Sequence, residues 1–252
     1  MHIDLSNTSV LVTGASRGIG AAVARAMGKA GAKVALHYRD QRERAAALAA
    51  QIGPSAEIFQ ADLSSVEECA ALWKTVAARF GRVNTLVNNA GIAISSPLEA
   101  AIGGWVEEWD STMAVNLRAP AVLCRLAIEH FVQKGGGRIV NISSRAAFRG
   151  DQPAYLAYAA SKGGLVALTR SIARGFGKAG ILAFNVAPGF TRTDMAKDFL
   201  DQYGEDYATN DIALQRLTEA DDVAPFVVFL ASGLGDHSTG CTIDINAGSY
   251  VH

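Results

Sequence analysis

The sequence predicts an α/β protein built on a doubly wound parallel sheet of about seven strands, with helices on both faces. Short apolar runs alternate with longer stretches of helical period, which is the order expected of βαβ units. The strand-like runs are almost wholly apolar, as strands buried on both faces require. The length of 252 residues fits one large α/β unit and no repeat or linker interrupts it, so we expect a single domain over residues 1–252.

The predicted elements follow one another as strand and helix. The strands are Ser9–Val12, Lys33–His37, Ala56–Gln60, Thr85–Asn88, Arg138–Ser143, Ile181–Val186 and Cys241–Ile245. The helices lie near Gly18–Ala30, Arg42–Gln51, Val66–Phe80, Trp105–Gln133, Leu156–Lys178 and Glu219–Leu230. The segment Thr191–Leu217 differs, because it is mixed and polar and contains several turn signals. Long irregular segments of compact folds are usually functional, so we expect a substrate loop here.

Composition and charge exclude several classes of protein. The net charge of -1 and the pI near 6.5 provide no basic field for nucleic acid. Cys69, Cys124 and Cys241 have neither disulfide-framework nor metal-ligand spacing, so we expect no metal and a reducing compartment. The sequence shows neither a signal peptide nor an apolar stretch of about 18 residues, so we expect a cytoplasmic protein without membrane contact.

A glycine-rich turn follows the first predicted strand, in the sequence Thr13-Gly14-Ala15-Ser16-Arg17-Gly18-Ile19-Gly20. Glycine permits a tight turn and lets the backbone approach a pyrophosphate, whose charge is favoured at a helix N-terminus. A tight strand-to-helix turn without a ligand is the simpler alternative. The turn opens a βαβ unit between a predicted strand and a predicted helix, and this context favours nucleotide binding.

The three-residue gap between Gly14 and Gly18 resembles the short-chain dehydrogenase/reductase family. The resemblance extends along nearly the whole chain, through Asn88-Asn89-Ala90-Gly91, Asn116, Ser143-Ser144, Tyr158-x-x-x-Lys162 and Pro188-Gly189. It implies a Rossmann-type fold and hydride transfer between a nicotinamide cofactor and a carbonyl or secondary alcohol. The form of the turn is similar to the 3-oxoacyl-[acyl-carrier-protein] reductase branch. The alternatives are an NAD-dependent sugar, polyol or steroid alcohol dehydrogenase and a non-catalytic NAD(P)-binding sensor.

The resemblance also implies the catalytic residues, which are Asn116, Ser144, Tyr158 and Lys162. Tyr158 would be the general acid/base, and Lys162, four residues along the same helix face, would bind the ribose and stabilise the phenolate. Ser144 would bind the substrate oxygen, and Asn116 would hold a relay water. Two alternatives stay open. Tyr155 lies on a similar face to Tyr158, and Ser143 is the alternative to Ser144, because the serine-to-tyrosine separation is one residue longer than usual.

The end of the second predicted strand favours NADP over NAD. NAD enzymes place an acid there to hold the ribose hydroxyls, whereas NADP enzymes offer arginine. By the resemblance Tyr38 occupies the position of the acid, with Arg39 beside it and Arg17 in the glycine turn, and two arginines suit a 2′-phosphate. The alternative is that both arginines are solvated and that Asp40 pairs with Arg39 or holds the ribose.

The resemblance implies a larger set of cofactor contacts. The full set is Gly14, Ser16, Arg17, Gly18, Ile19, Gly20, Tyr38, Arg39, Asp62, Leu63, Asn89, Ala90, Gly91, Tyr158, Lys162, Pro188, Gly189, Thr191 and Thr193. Asp62 would hydrogen-bond the adenine or, alternatively, cap the helix that follows. The Thr191 backbone and the Thr193 hydroxyl would orient the nicotinamide carboxamide.

Substrate specificity is expected in three loops, Ser95–Gly104, Arg145–Tyr155 and Thr191–Gln215. Four side chains in or near these loops suggest an apolar wall: Phe148, Phe190, Met195 and Tyr203. Arg145 and Arg149 could meet an anionic group, although solvated loop arginines are commoner.

The resemblance further implies a homotetramer, built from the helices near 105–133 and 156–178 and from the C-terminal strand. One departure from the family pattern is Asn246-Ala247-Gly248, where Asp-Gly-Gly is usual. We expect this change to affect subunit contacts more than chemistry.

Overall fold

The structure, a computed structural model, describes residues 3–194, 204 and 209–251. The strands are β1 (Ser9–Val12), β2 (Lys33–Tyr38), β3 (Ala56–Gln60), β4 (Thr85–Asn88), β5 (Gly137–Ile142), β6 (Ile181–Pro188), β7 (Thr191–Arg192), β8 (Thr218–Glu219) and β9 (Thr242–Ile245). The helices are α1 (Gly18–Lys29), α2 (Arg42–Ile52), α3 (Val66–Phe80), α4 (Ile102–Met113), α5 (Ala119–Lys134), α6 (Ala146–Arg149), α7 (Leu156–Phe176) and α8 (Ala220–Ala231). Every predicted strand and helix is present, with ends shifted by a few residues.

Seven of these strands form one parallel sheet in the order β3-β2-β1-β4-β5-β6-β9. The predicted doubly wound α/β fold is therefore confirmed. The strand order reverses at β1, which pairs with β2 on one side and with β4 on the other. Sheets of this kind bind ligands in the crevice at the carboxyl ends of the strands beside such a reversal. β7 and β8 form a separate short parallel pair at the two ends of the segment 191–219.

Each face of the sheet has its own hydrophobic core. On one face Val23 and Met27 of α1 pack with side chains of α8, and both are fully buried. On the other face Leu123, Ala127 and Phe131 recur every four residues, so they form one buried stripe of α5. Burying a large apolar side chain stabilises the fold by about 1.5–3 kcal/mol, and the two cores fix the strand ends that carry the site.

The helix predicted at Trp105–Gln133 is interrupted in the structure. α4 ends at Met113, a π-helical turn covers Ala114–Arg118, and α5 begins at Ala119. Pro120 explains the interruption, because proline has no N–H to donate to the carbonyl of Asn116 four residues earlier. The distorted turn places Asn116 near the carboxyl ends of the central strands, where its side chain bonds Ile92.

The helices among the described residues were also compared with the length and apolar character of a membrane span. None of them meets both requirements.

Candidate active site

One cavity of about 880 Å³ opens at the carboxyl edge of the sheet and extends from the glycine turn to Tyr158. It brings together almost all of the predicted site residues. The predicted residues that line it are Gly14, Ser16, Arg17, Gly18, Ile19, Arg39, Asp62, Leu63, Asn89, Ala90, Gly91, Ser144, Tyr158, Lys162, Pro188, Gly189, Thr191 and Thr193. Three predicted residues are not part of its lining: Gly20, Tyr38 and Asn116.

The glycine turn is held against the end of β4 by partly buried hydrogen bonds. Thr13 Oγ1 accepts from the backbone N–H groups of Asn89 and Ala90, at 2.9 and 3.0 Å. The Asn89 side chain also donates to the carbonyl of Thr13, at 2.9 Å. Gly14 has a φ of +63°, and a Cβ there would lie 2.9 Å from the Cα of Ala90. Only glycine allows the two chain segments to approach this closely.

Gly20 has a packing role rather than a place in the cavity wall. A Cβ at Gly20 would lie 2.3 Å from the carbonyl oxygen of Gly14, so its absence lets α1 begin directly beneath the turn. Among the described residues no side chain caps the first turn of α1, and Ser16, Arg17 and Gly18 at its start line the cavity. The free N–H groups at this end suit a pyrophosphate, so the residues present fit a dinucleotide.

His37 is a site residue that the sequence did not reveal. Its Nδ1 accepts from the N–H of Gly14 at 3.0 Å, and its Nε2 lies 3.0 Å from the carbonyl of Ala61. Burial lowers the pKa of His37 to about 4, although the contact with Ala61 acts the other way. The neutral ring therefore accepts at Nδ1 and donates at Nε2, and it joins the glycine turn to the end of β3. A single histidine in an apolar strand gives no signal of this role.

Tyr38 does not occupy a cofactor-facing position. It is buried, and its hydroxyl accepts from Arg42 at 3.1 Å instead of facing the cavity. Side chains alternate along β2, so the cavity-facing group at this end is His37, with Arg39 beyond the strand. Arg39 pairs with Asp40 at 2.6 Å, which is one of the alternatives left open by the sequence.

The second predicted arginine, Arg17, lies beside an ion pair that sequence patterns did not reveal. Asp194 Oδ2 is 2.7 Å from Arg44 and 3.5 Å from Arg17. The hydrogen bond from Arg44 is the main reason that the pKa of Asp194 is lowered. The segment after β7 is thereby tied to the glycine turn and to α2 across the cavity entrance.

Asp62 lines the cavity, where the adenine contact was predicted, and it is not the N-cap that the alternative prediction required. Its side chain lines the cavity, yet Oδ1 accepts from the N–H of Ser64 at 2.9 Å. That hydrogen bond is the main reason that the pKa of Asp62 is lowered. The N-cap of α3 is Ser65, which accepts from the N–H of Glu68 at 3.1 Å. Asp62 therefore shapes the turn before the helix and leaves the cap itself to Ser65.

Tyr158 and Ser144 face each other inside the cavity, whereas the Ser143 side chain is used elsewhere. The Ser143 hydroxyl is buried, donates to the carbonyl of Val186 at 3.2 Å and accepts from Asn185 at 2.8 Å. Ser144 interacts with the Tyr158 hydroxyl. This geometry favours Ser144 over Ser143. Tyr155 also lines the cavity, from the short 3₁₀ turn that precedes α7.

In α7 Lys162 is buried and Tyr158 is partly buried, and loss of contact with water shifts the pKa of each toward the neutral form. Burial raises the pKa of Tyr158, and the interaction with Ser144 opposes this rise. Burial lowers the pKa of Lys162 to about 8. Lys162 Nζ lies 5.7 Å from the Tyr158 ring centroid and donates to the carbonyl of Ile142 at 3.0 Å. When only the protein side chains act on Tyr158, desolvation raises its pKa by more than the ammonium of Lys162 was expected to lower it.

Asn116 lies behind the cavity wall and not in it. Its Oδ1 accepts from the N–H of Ile92 at 2.8 Å, and its Nδ2 donates to the carbonyl of Ile92 at 2.8 Å and to Ser161 at 3.1 Å. A Cβ on Gly91 would lie 3.3 Å from both Asn116 Oδ1 and Lys162 Nζ. Asn116 therefore fixes the strand extension that contacts Lys162, which is a positioning role.

The nicotinamide end of the predicted site lies where β6 ends. Gly189 donates to the carbonyl of Ile245 at 2.9 Å, and a Cβ on it would lie 2.6 Å from the Cα of Asn246. The Thr193 hydroxyl donates to the Thr191 carbonyl at 3.4 Å. Asn246 is thus packed directly against the cavity wall, so the departure from Asp-Gly-Gly concerns the site as well as any subunit contact.

The part of the cavity near Ser144 and the end of β6 carries charged side chains. Arg145, Arg149 and Asp211 line it, and both arginines contact the same carboxylate. Of the predicted apolar wall, Phe190 lines the cavity, whereas Phe148 stacks on Tyr250 with 6.1 Å between ring centroids. The other two predicted residues, Met195 and Tyr203, lie outside the described part of the chain.

A doubly wound sheet whose crevice holds a glycine turn, a serine and a Tyr/Lys pair defines an NAD(P)-dependent oxidoreductase that acts on CH–OH groups. The family model described as "Enoyl-(Acyl carrier protein) reductase" matches residues 14–250. The chain belongs to the short-chain dehydrogenase/reductase family.

Several named relatives are similar over nearly their whole length. A 3-oxoacyl-[acyl-carrier-protein] reductase, FabG of Staphylococcus aureus, is 36% identical over 96% of this chain and 98% of its own. The 3beta-hydroxysteroid dehydrogenase 1 of Eggerthella lenta is 36% identical over 100% of this chain and 97% of its own.

Solved structures include relatives bound to either nicotinamide cofactor. A short chain dehydrogenase from Burkholderia cenocepacia in complex with NADP has a TM-score of 0.89 and 37% identity, over 97% of this chain and 98% of that chain. A 3-ketoacyl-(acyl-carrier-protein) reductase from Brucella melitensis complexed with NADH has a TM-score of 0.90 and 30% identity, over 98% of this chain and 100% of that chain.

Proposed function

We propose that the protein transfers a hydride between NADP(H) and a carbonyl or secondary alcohol, with Tyr158 as the general acid/base. The observation that carries this proposal is the single cavity in which the glycine turn, Ser144, Tyr158 and Lys162 all take part. A dinucleotide on the glycine turn would extend along this cavity toward Tyr158. Bound NADP(H) would supply or accept the hydride.

The side chains provide the remaining chemistry. The raised pKa keeps the Tyr158 hydroxyl protonated near neutral pH, so it donates a proton to the carbonyl oxygen during reduction. The Ser144 hydroxyl binds the same oxygen and stabilises the charge that develops on it. Lys162 places a cation near Tyr158 and binds the ribose, and Asn116 holds the backbone that faces Lys162.

The preference for NADP rests on Arg17 and Arg39, which line the adenosine end of the cavity. Their guanidinium groups suit a 2′-phosphate, and Asp40 is occupied by Arg39. Michaelis constants for NADPH and NADH with one substrate test this preference. A lower constant for NADH would contradict it and favour an NAD-dependent alcohol dehydrogenase.

Tyr158→Phe is the experiment that tests the proposed function, with Tyr155→Phe as the matched control. The first change removes one hydroxyl and should lower kcat by about 10²–10⁴-fold, which is the usual contribution of general acid–base catalysis. It should leave the Kd for NADPH unchanged. The control should keep most activity, measured on a panel of ketones with NADPH absorbance. Equal activity of both variants would remove Tyr158 from its role, and an inactive parent would favour a binding protein or sensor.

We also propose one domain over residues 1–252, with 191–217 as the substrate loop, assembled as a cytoplasmic homotetramer. The strands of the sheet come from the whole range 9–245, which supports the single domain. The exposed apolar side chains of Val106, Val132 and Phe176 on α4, α5 and α7 support contacts between subunits. Sedimentation equilibrium tests the tetramer, and a monomer at micromolar concentration would contradict it.

A further inference from the structure

Two arginines converge on one carboxylate oxygen at the substrate end of the cavity. Arg145 Nη1 lies 2.9 Å and Arg149 Nη1 lies 2.5 Å from Oδ2 of Asp211. The arginines belong to the sheet side of the cavity, because Arg145 follows Ser144 and Arg149 ends α6. Asp211 belongs to the segment between β7 and β8, and the nearby hydrogen bond from Ala213 N to the Ala247 carbonyl, at 2.7 Å, holds that part over the site.

The burial of Arg145 shows that this cluster is more than a surface ion pair. Its side chain is only 14% exposed, whereas that of Arg125 on α5 is 81% exposed. Burial lowers the pKa of Arg145, and the neighbouring Arg149 adds to this effect. A guanidinium that has lost its hydration requires an anion. Among the described residues, the side-chain partner of Arg145 is Asp211.

The charges around the arginine pair balance only while Asp211 is in place. Among the described residues that line this end of the cavity, Arg145 and Arg149 contribute two positive charges, and Asp211 and Asp151 contribute two negative ones. Asp151 is exposed and accepts from the N–H of Gln152 at 2.8 Å, and it acts on Arg145 only through space. Burial alone would raise the pKa of Asp211, but the two guanidinium groups lower it. Without Asp211, the pair would keep one uncompensated positive charge inside the cavity.

We propose that the substrate carries a carboxylate that takes the place of Asp211 between Arg145 and Arg149. This inference rests on the proposed oxidoreductase function and names its substrate class. A planar guanidinium binds a carboxylate through two parallel hydrogen bonds, so the pair is suited to this group. Arg145 and Ser144 are adjacent in the chain, so the carboxylate and the reacting oxygen are held by neighbouring residues. The substrate is therefore a short oxo acid, or the corresponding hydroxy acid in the reverse direction.

Asp211 has a defined role in this proposal. In the free protein it neutralises the arginines, and the substrate carboxylate displaces it. The carboxylate takes no part in the redox step, in which the carbonyl carbon gains a hydride and the oxygen gains a proton. Asp211 should therefore compete with acidic substrates and should have no effect on neutral ones.

Matched pairs of oxo acids and their methyl esters test the proposal. We expect the parent protein to prefer short 2-, 3- or 4-oxo acids over the esters by at least about ten-fold in kcat/KM. Arg145→Gln or Arg149→Gln should lower kcat/KM for the acid by about ten- to a hundred-fold and leave the ester within about three-fold. Asp211→Asn should raise kcat/KM for the acid and leave the ester unchanged. Arg79→Gln, at an exposed ion pair on α3, is the matched control.

Three results would overturn the carboxylate site. The parent could use acids and esters equally, Arg145→Gln could reduce both alike, or Asp211→Asn could lower both. The last result, together with a lower Tm, would mean that the ion pairs only hold the loop.

A calorimetric titration separates this inference from the proposed function, because it requires no turnover. We expect pentanoate to bind the parent protein with NADP more tightly than pentanamide does. Asp211→Asn should strengthen the binding of pentanoate, and Arg145→Gln should abolish the difference between the two ligands. Equal binding of the two by the parent would disprove the inference even if turnover were established. A preference for pentanoate in a protein that reduces no carbonyl would instead disprove the proposed function alone.

Discussion

Two walls face each other across the cavity, and different forces hold them. The strand-end wall is joined by buried and partly buried hydrogen bonds, such as the one from Asn88 to Asn141 at 2.8 Å and the one from Asn89 to Thr13 at 2.9 Å. The loop wall begins at β7 and is held in place by Asp194 and Asp211. Each of these aspartates forms ion pairs with two arginines. The carboxylates and most of their partners are partly exposed to solvent.

The difference teaches which wall can yield to a ligand. A buried donor or acceptor that loses its partner costs about 1–3 kcal/mol, whereas an exposed ion pair contributes about 0–1 kcal/mol. The strand-end wall therefore holds the cofactor site in one geometry. In the loop wall the half-exposed pairs of Asp194 can separate at low cost, whereas the less exposed Arg145 can release Asp211 only to another anion. Binding of a cofactor and exchange of a substrate need these two properties in one cavity.

The largest effect is expected at Lys162, on the strand-end side. Lys162→Met removes the cation that lies 5.7 Å from the Tyr158 ring, so kcat/KM for a neutral ketone should fall by about 10²-fold or more. Lys74→Met, on the exposed face of α3, serves as the control and should keep parental activity. Steady-state kinetics with NADPH measures the activity of both variants. A Lys162→Met variant with parental activity would show that Lys162 on the strand-end wall is not needed for the chemistry.

Lys162→Met, which should lower activity, should raise the stability of the folded protein, and the size of this effect should depend on pH. Burial lowers the pKa of Lys162 to about 8 from 10.5, so above pH 8 the unfolded chain binds the proton more readily than the folded protein. The parent protein should therefore gain stability as the pH rises from about 7 to 10, by on the order of 2 kcal/mol from this group. Urea unfolding of parent and Lys162→Met should show a difference in ΔG that changes by this amount. A constant difference would mean that Lys162 is not desolvated.

Most of the strand-end wall could be predicted from sequence. The glycine turn was recognised from its place between a strand and a helix, and Tyr158 and Lys162 lie one helical turn apart. The resemblance to the family then supplied Asn89 and the roles of the pair. Tyr38 marks the limit of this kind of prediction. Its cofactor contact was predicted from the family pattern, but side chains alternate along β2 and that of Tyr38 points into the core.

The loop wall could not be predicted in the same way. Asp194 and Asp211 reach their arginines across 150 and 66 positions of the sequence, and no local pattern records such contacts. His37 is similar, because its partner Gly14 lies 23 residues away, in the turn that follows β1. Arg145 and Arg149 were recognised as candidates for an anion, but only the fold supplies the carboxylate between them.

A substitution of intermediate effect on cofactor binding is expected at His37, whose ring accepts a hydrogen bond from the glycine turn. His37→Leu leaves the N–H of Gly14 without its acceptor, so the Kd for NADPH should rise about ten-fold while kcat stays unchanged. His37→Asn restores an acceptor and should recover most of the affinity. Fluorescence titration with NADPH measures both variants, and equal affinity of parent and His37→Leu would remove the ring from the support of the turn.

The lowered pKa of His37 also predicts that the folded protein loses stability at acidic pH. Its pKa is lowered to about 4 from 6.5, so between these values the unfolded chain binds the proton and the folded protein does not. Stability should therefore fall as the pH decreases from about 6.5 to 4. His37→Asn, which does not titrate in this range, should show a shallower decrease in Tm than the parent. Parallel curves for the two proteins would contradict the buried neutral state of the ring.

The smallest effect is expected at Asp194, on the loop wall. Asp194→Asn removes the charge that pairs with Arg17 and Arg44, but the three side chains are about half exposed and water replaces the lost contacts. The Kd for NADPH should change by less than about three-fold and the free energy of unfolding by less than about 1 kcal/mol. The release of Arg17, which lines the cavity, could strengthen the binding of a 2′-phosphate, so the change in Kd should be toward tighter binding. A ten-fold weakening would show that the loop wall is as rigid as the strand-end wall, and the contrast between the two walls would then have to be abandoned.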